Sequence, residues 1–113
     1  MIGLRLLAAI SARMGEVWPR HRDQPFGGRS VMLIGDFFQL SPVAEKALYA
    51  NNRVLGAVEL SGRNVYRALN RTVELKEVVR QQGDAQAGFR DALEGLRYNN
   101  PTIQQWRLLS TRV

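Results

Sequence analysis

Hydrophobic positions change their period along the chain. Ile2, Leu6, Ile10 and Met14 recur at every fourth residue, which predicts a helix with an apolar stripe facing a sheet. Pro19 to Gly28, rich in Pro, Gly, Asp and Arg, reads as a loop. Val31, Met32, Leu33 and Ile34 follow without interruption, so Arg29 to Ile34 is expected to be a parallel strand buried on both faces, ending at Gly35-Asp36. Phe37 to about Val58 looks mostly irregular, with a helical turn near Glu45–Tyr49 and a turn at Asn51-Asn52. Gly62 to Leu69 predicts a short helix capped by Ser61, and Thr72 to Leu75 a second strand. Asp84 stands in N-cap position for a helix over Ala85 to Tyr98, with Phe89, Leu93 and Leu96 as its stripe. Asn99-Asn100-Pro101 ends it, and Thr102 to about Leu109 predicts a last helix with Ile103, Trp106 and Leu109 inward. The expected fold class is α/β, a parallel sheet with helices on its faces.

Composition narrows the class. With 113 residues and 45% hydrophobic content the chain has enough apolar material for one domain. No apolar run approaches the ~20 residues of a membrane span, and no cleavage site follows the first residues, so neither a membrane segment nor a signal peptide is expected. The absence of cysteine excludes disulfides and thiolate metal sites, and the lone His21 has no partner for a metal site. The net charge is +6, and fourteen of the sixteen cationic residues are Arg. Guanidinium forks suit phosphate, which points to a polyanionic partner, although GC-rich coding sequence gives the same bias.

Chemistry concentrates where the apolar run stops. Asp36 and Gln39 follow the expected strand, at the edge of an α/β sheet where ligands bind. A carboxylate and an amide there can sense a phosphate, its metal or an attacking water; a solvated turn is the alternative, and this segment alone does not decide between them.

The segment Gly35-Asp36-Phe37-Phe38-Gln39-Leu40-Ser41-Pro42-Val43 and the block Leu75 to Gln81, with Arg80-Gln81 at its end, resemble the third and fourth motifs of the petite-integration-frequency (PIF) family of ATP-dependent DNA helicases. These are RecD-like enzymes of helicase superfamily one. Met1-Ile2-Gly3 with Leu6, Leu7, Ile10 and Arg13, then Pro25-Phe26-Gly27-Gly28, Gly62-Arg63, Tyr66, Trp106, Leu109 and Arg112, are similar to further family positions. Ser41 departs from the first of two prolines usual in the family.

The resemblance implies a RecA-like motor region that couples ATP hydrolysis to 5′ to 3′ translocation on single-stranded DNA and to duplex unwinding. It implies ATP and Mg²⁺ as cofactors, a monomeric motor without membrane association, and a nuclear location with the mitochondrion second. DNA repair, recombination and telomere maintenance are the settings it suggests. By the same resemblance, Asp36 helps to organise the Mg²⁺ and its waters, and Gln39 hydrogen-bonds the γ-phosphate or the attacking water. Arg80 reaches that phosphate across a cleft, as arginine fingers do, and Gln81 supports the closure. A salt bridge to Glu77 or Asp84 is the alternative for Arg80, and solvated helix faces are the alternative for Arg13, Arg63 and Arg97.

No Gly-x-x-x-x-Gly-Lys-Ser/Thr run occurs in the sequence, and no Asp-Glu pair that would hold the metal. Residues 1–113 are therefore expected to be a middle piece of the motor, from just after the Asp-Glu motif through the third and fourth motifs, lacking the phosphate-loop strand. Uncovered sheet edges then predict loose packing of the isolated polypeptide. Two rival readings are a truncated or mispredicted product without independent activity, and a non-catalytic nucleic-acid-binding module.

Overall fold

The computed structural model describes residues 1–77 and 83–111, and they divide into two compact units, Met1–Thr72 and Val73–Val113. The first unit is built on two helices, α1 (Leu4–Val17) and α2 (Ala57–Arg67). Leu4 and Leu7 on α1 are fully enclosed and pack with Phe26 and Leu48 into one apolar cluster. Ile2, Met14, Leu55, Val65 and Tyr66 close around it.

The inward face of α1 matches the stripe of its four-residue repeat only in part, at Met14 and, just before the helix, at Ile2. Leu4, Leu7, Ala8, Ser11 and Gly15 are buried, while Leu6 and Ile10 of the expected stripe remain 49% and 38% exposed. Small residues allow this, because Ala8, Ser11 and Gly15 let neighbouring backbone approach where longer side chains would hold it off. The start of α1 has no local cap. Instead the Leu4 N–H donates to the Lys46 carbonyl at 2.9 Å, and the Leu6 N–H to Glu45 Oε2 at 3.3 Å. A carboxylate suits the positive end of the helix dipole, and here it comes from far along the chain.

Helix α2 begins five residues before the expected Gly62. Its N-cap is Gly56 rather than Ser61, and Glu59 reaches back to accept the Gly56 N–H at 2.9 Å. Lys46 Nζ lies 3.0 Å from the same carboxylate and also donates to the Val54 carbonyl. The Gly56 N–H first, and then Lys46, hold the Glu59 carboxyl below its ordinary value near 4.5. A depressed folded value means that Glu59 stabilises the fold fully above about pH 4.5, and that this stabilisation is lost as pH falls through the lower folded value. Glu59→Gln is expected to flatten the acid limb of the stability profile, read from urea midpoints against pH; an unchanged acid limb would show that the carboxylate does not contribute.

Between the helices the expected loop over Pro19 to Gly28 contains two 3₁₀ turns, Pro19–His21 and Pro25–Gly28. Phe26, Gly27 and Gly28 are all left-handed, with φ of 56°, 61° and 70°. For Phe26 this conformation costs on the order of 1–3 kcal/mol. It is held in place because the Phe26 ring fills the core and its N–H donates to the buried Ser11 Oγ at 2.9 Å. Gly27 is required by space as well, since a Cβ would stand 2.8 Å from the Met14 carbonyl oxygen.

The parallel α/β sheet is not formed. Among the described residues there is no strand and no sheet, and Arg29 to Ile34 and Thr72 to Leu75 carry no regular element and no ladder pairing. Strand formation needs a neighbour to take the backbone N–H and carbonyl groups, and neither segment has one among the described residues. Burial shows the consequence. Val31 and Leu33 pack against the core, whereas Met32 and Ile34 stand 81% and 90% exposed, so one face is covered where two were expected. Val73 and Leu75 are exposed as well.

The second unit pairs α3 (Ala87–Arg97) with α4 (Ile103–Ser110). A 3₁₀ turn, Asp84–Gln86, precedes α3, so the α-helix starts later than the expected Ala85. Ala92 is the residue α3 buries, while Leu93 and Leu96 of the expected stripe are exposed. Asn99 at φ 54° ends the helix, with the Asn100 N–H donating to the Gly95 carbonyl at 2.8 Å. Thr102 caps α4 in a reciprocal box: its Oγ1 accepts the Gln105 N–H at 3.2 Å and its own N–H donates to Gln105 Oε1 at 2.8 Å. Gln105 Nε2 then donates to the Asp91 carbonyl at 3.1 Å, tying α4 to α3. Of the expected stripe Ile103 and Trp106 are exposed and Leu109 is half-buried, with Leu108 half-buried beside it.

Candidate functional site

The residues after the apolar run fold into one tight turn. The Gln39 N–H donates to the Asp36 carbonyl at 3.2 Å, which makes Asp36 and Gln39 the first and fourth residues of the turn. Asp36 Oδ1 accepts the Phe38 N–H at 3.0 Å, an Asx turn that fixes the carboxylate against its own backbone. The two sequence-selected polar residues therefore stand at the two ends of a single turn, with Asp36 half-buried and Gln39 exposed. Arg80 and Gln81 lie outside the described residues.

The turn is anchored through an aromatic contact. The Phe37 ring meets Tyr49 edge-on, with centroids 5.8 Å apart and planes at 83°. Tyr49 belongs to a second turn, closed by the Ala50 N–H on the Ala47 carbonyl at 3.0 Å. Arg63, on α2, grips that turn from the other side: its Nη1 donates to the Leu48 carbonyl at 3.1 Å and to the Ala50 carbonyl. Arg63 is thus half-buried and structural, where a solvated helix face was one expectation. Tyr49 and Arg63 support the candidate site, and no short-range signal marks Tyr49, since its link to Phe37 spans twelve residues of irregular chain. The remaining apolar residues differ from one another. Pro42 is buried, whereas Leu40 is 90% exposed and packs nothing down.

This geometry presents a carboxylate and an amide on a fixed turn, polar groups suited to water and phosphate oxygens. Among the described residues no group of three potential metal-ligand side chains stands together. No helix among the described residues is long and apolar enough to cross a membrane.

Residues 1–97, which include the Asp36–Gln39 turn, match a helicase family, the one described as PIF1-like helicase. The chain belongs to the PIF1-like helicase family. Among curated proteins, the chain is 36% identical over 86 residues to the ATP-dependent DNA helicase PIF1 of Candida albicans, covering 72% of this chain and 9% of that protein. It is 38% identical over 84 residues to the ATP-dependent DNA helicase RRM3 of Saccharomyces cerevisiae, covering 74% of this chain and 11% of the relative. The chain thus spans about a tenth of the length of these relatives. No solved structure matches it.

Proposed function

We propose that these residues form the nucleotide-sensing segment of an ATP-dependent DNA helicase. The motor would move 5′ to 3′ on single-stranded DNA and unwind duplex in the nucleus, with the mitochondrion second, in repair, recombination and telomere maintenance. The observation that carries this reading is the hydrogen-bonded turn with Asp36 and Gln39 at its ends, inside the segment that matches the helicase family. Gln39 is exposed and neutral, so one amide can donate to a γ-phosphate oxygen while accepting from the attacking water. Asp36, its Oδ1 engaged by Phe38, would orient bound waters rather than ligate Mg²⁺ directly. Arg80 and Gln81 would complete the site from the far side of a cleft, Arg80 stabilising charge on the transferring phosphoryl group. Mg²⁺ would neutralise phosphate charge, held by groups other than those described here.

Gln39→Ala in the natural full-length protein tests the reading. DNA-stimulated ATP hydrolysis is expected to fall roughly tenfold in kcat, the size of one lost hydrogen bond to a charged group, with ATP binding nearly unchanged. A variant that hydrolyses ATP at the wild-type rate removes Gln39 from the sensing role.

A further inference from the structure

The loop over residues 18–29 carries Arg20, His21, Arg22 and Arg29 against a single acid, Asp23, and all five are exposed. Several cations elsewhere have partners, although among the described residues exposed ones such as Arg67 and Arg71 show no such contact. Arg5 donates to the Ala44 carbonyl, Arg13 pairs with Glu16, Lys46 with Glu59, Arg63 grips two carbonyls and Arg90 donates to the Gly83 carbonyl. Among the described residues no acid pairs with Arg20, Arg22 or Arg29.

The loop is also rigid in a way that a solvated connection does not require. Successive backbone bonds tie His21 to Trp18 at 3.0 Å, Gln24 to His21 at 3.0 Å, Gly27 to Gln24 at 3.1 Å and Arg29 to Phe26 at 3.3 Å. Its two ends meet where the Arg29 guanidinium lies 4.9 Å over the Trp18 ring. A guanidinium stacked on its face keeps its N–H groups directed outward in the plane, ready to donate. Side chains set on a fixed backbone also lose less freedom on binding than those on a floppy loop.

We propose that this loop is a contact surface for the phosphodiester backbone of a DNA strand, with Arg20 and Arg22 each engaging a phosphate and Arg29 held ready by Trp18. It rests on the reading of the chain as part of a DNA helicase, and it adds a place where the strand is gripped. The loop is distinct from the Asp36–Gln39 turn, so DNA grip and nucleotide sensing fall on different residues.

The test is fluorescence anisotropy of a labelled oligothymidylate with the natural full-length protein over a range of salt. R20E/R22E is expected to weaken binding roughly tenfold and to make the log-log salt slope shallower by about 1.4, the value for two single-strand phosphate contacts. The milder R20Q/R22Q should fall between this variant and wild type. R67E/R71E makes the same charge change at exposed positions elsewhere and should lose less than about threefold. Equal losses in the two Glu variants, or none in R20E/R22E, overturn the proposal, as does equal displacement of the oligonucleotide from wild type and R20E/R22E by polyglutamate. The two readings separate cleanly. If ATP hydrolysis and unwinding proceed while R20E/R22E binds like wild type, the loop assignment fails and the helicase reading stands. If the wild type binds DNA through Arg20 and Arg22 without hydrolysing ATP, the helicase reading fails and the loop assignment stands.

Discussion

Gly62→Ala is expected to cost the Met1–Thr72 unit about 3 kcal/mol, at the upper end of ordinary overpacking. A Cβ at position 62 would stand 2.0 Å from the Leu4 carbonyl oxygen and 2.8 Å from its carbon, separations no real pair of atoms tolerates. The atoms in the way are backbone, so no side chain can swing aside and α1 must shift away from α2. That shift opens the seam where Leu4 and Leu7 are fully enclosed, and the loss of their packing adds to the strain. Gly56→Ala is the control, because a Cβ there meets only Glu59 Oε2 at 3.9 Å. Urea unfolding followed through Trp18, in a Trp106→Phe background, reads both. A Gly62→Ala midpoint no lower than that of Gly56→Ala would mean that the two helices do not approach as described.

Leu7→Ala is expected to destabilise the same unit by about 2–5 kcal/mol, and Leu6→Ala by less than about 1 kcal/mol. The pair differs by one position and one fact: Leu7 is fully buried beside Phe26 and Leu48, while Leu6 is 49% exposed. The two residues thus distinguish the observed inward face of α1 from the stripe its sequence repeat predicts. Equal losses, or a larger one at Leu6, would return the helix to the predicted orientation.

The existence of each helix was legible in the sequence, and the reason is local. Period, caps and breakers act within a few residues, as at Thr102 and Gln105 on α4 or at Asn99 after α3. Which face turns inward was legible only in part, because burial on α1 is decided by Phe26 and Leu48, far away in sequence, and by small residues that the apolar repeat passes over. The start of α2 was misplaced for a related reason. Gly56 has no capping side chain of its own, and Glu59 supplies the carboxylate from inside the helix. The apolar run at Arg29 to Ile34 was misread as a buried strand, because pairing is a property of two segments and none of the described residues pairs with it. At the candidate site, Asp36 and Gln39 were visible from their place after the apolar run, and the structure puts them on one turn. Tyr49 and Arg63 were not visible as its supports, since each reaches it across many residues of irregular chain.

The remote cap on α1 sets an order of events during synthesis. The helix leaves the ribosome ahead of its cap, since Glu45 Oε2, the acceptor for its Leu6 N–H, lies 39 residues later. At ordinary elongation rates that acceptor follows after roughly 2–8 s, far longer than the submicrosecond time in which a helix forms and melts. In the interval the first turn of α1 can only flicker, its apolar residues open to chaperones or to other nascent chains. The step that ends the waiting is the arrival of Glu45 and Lys46.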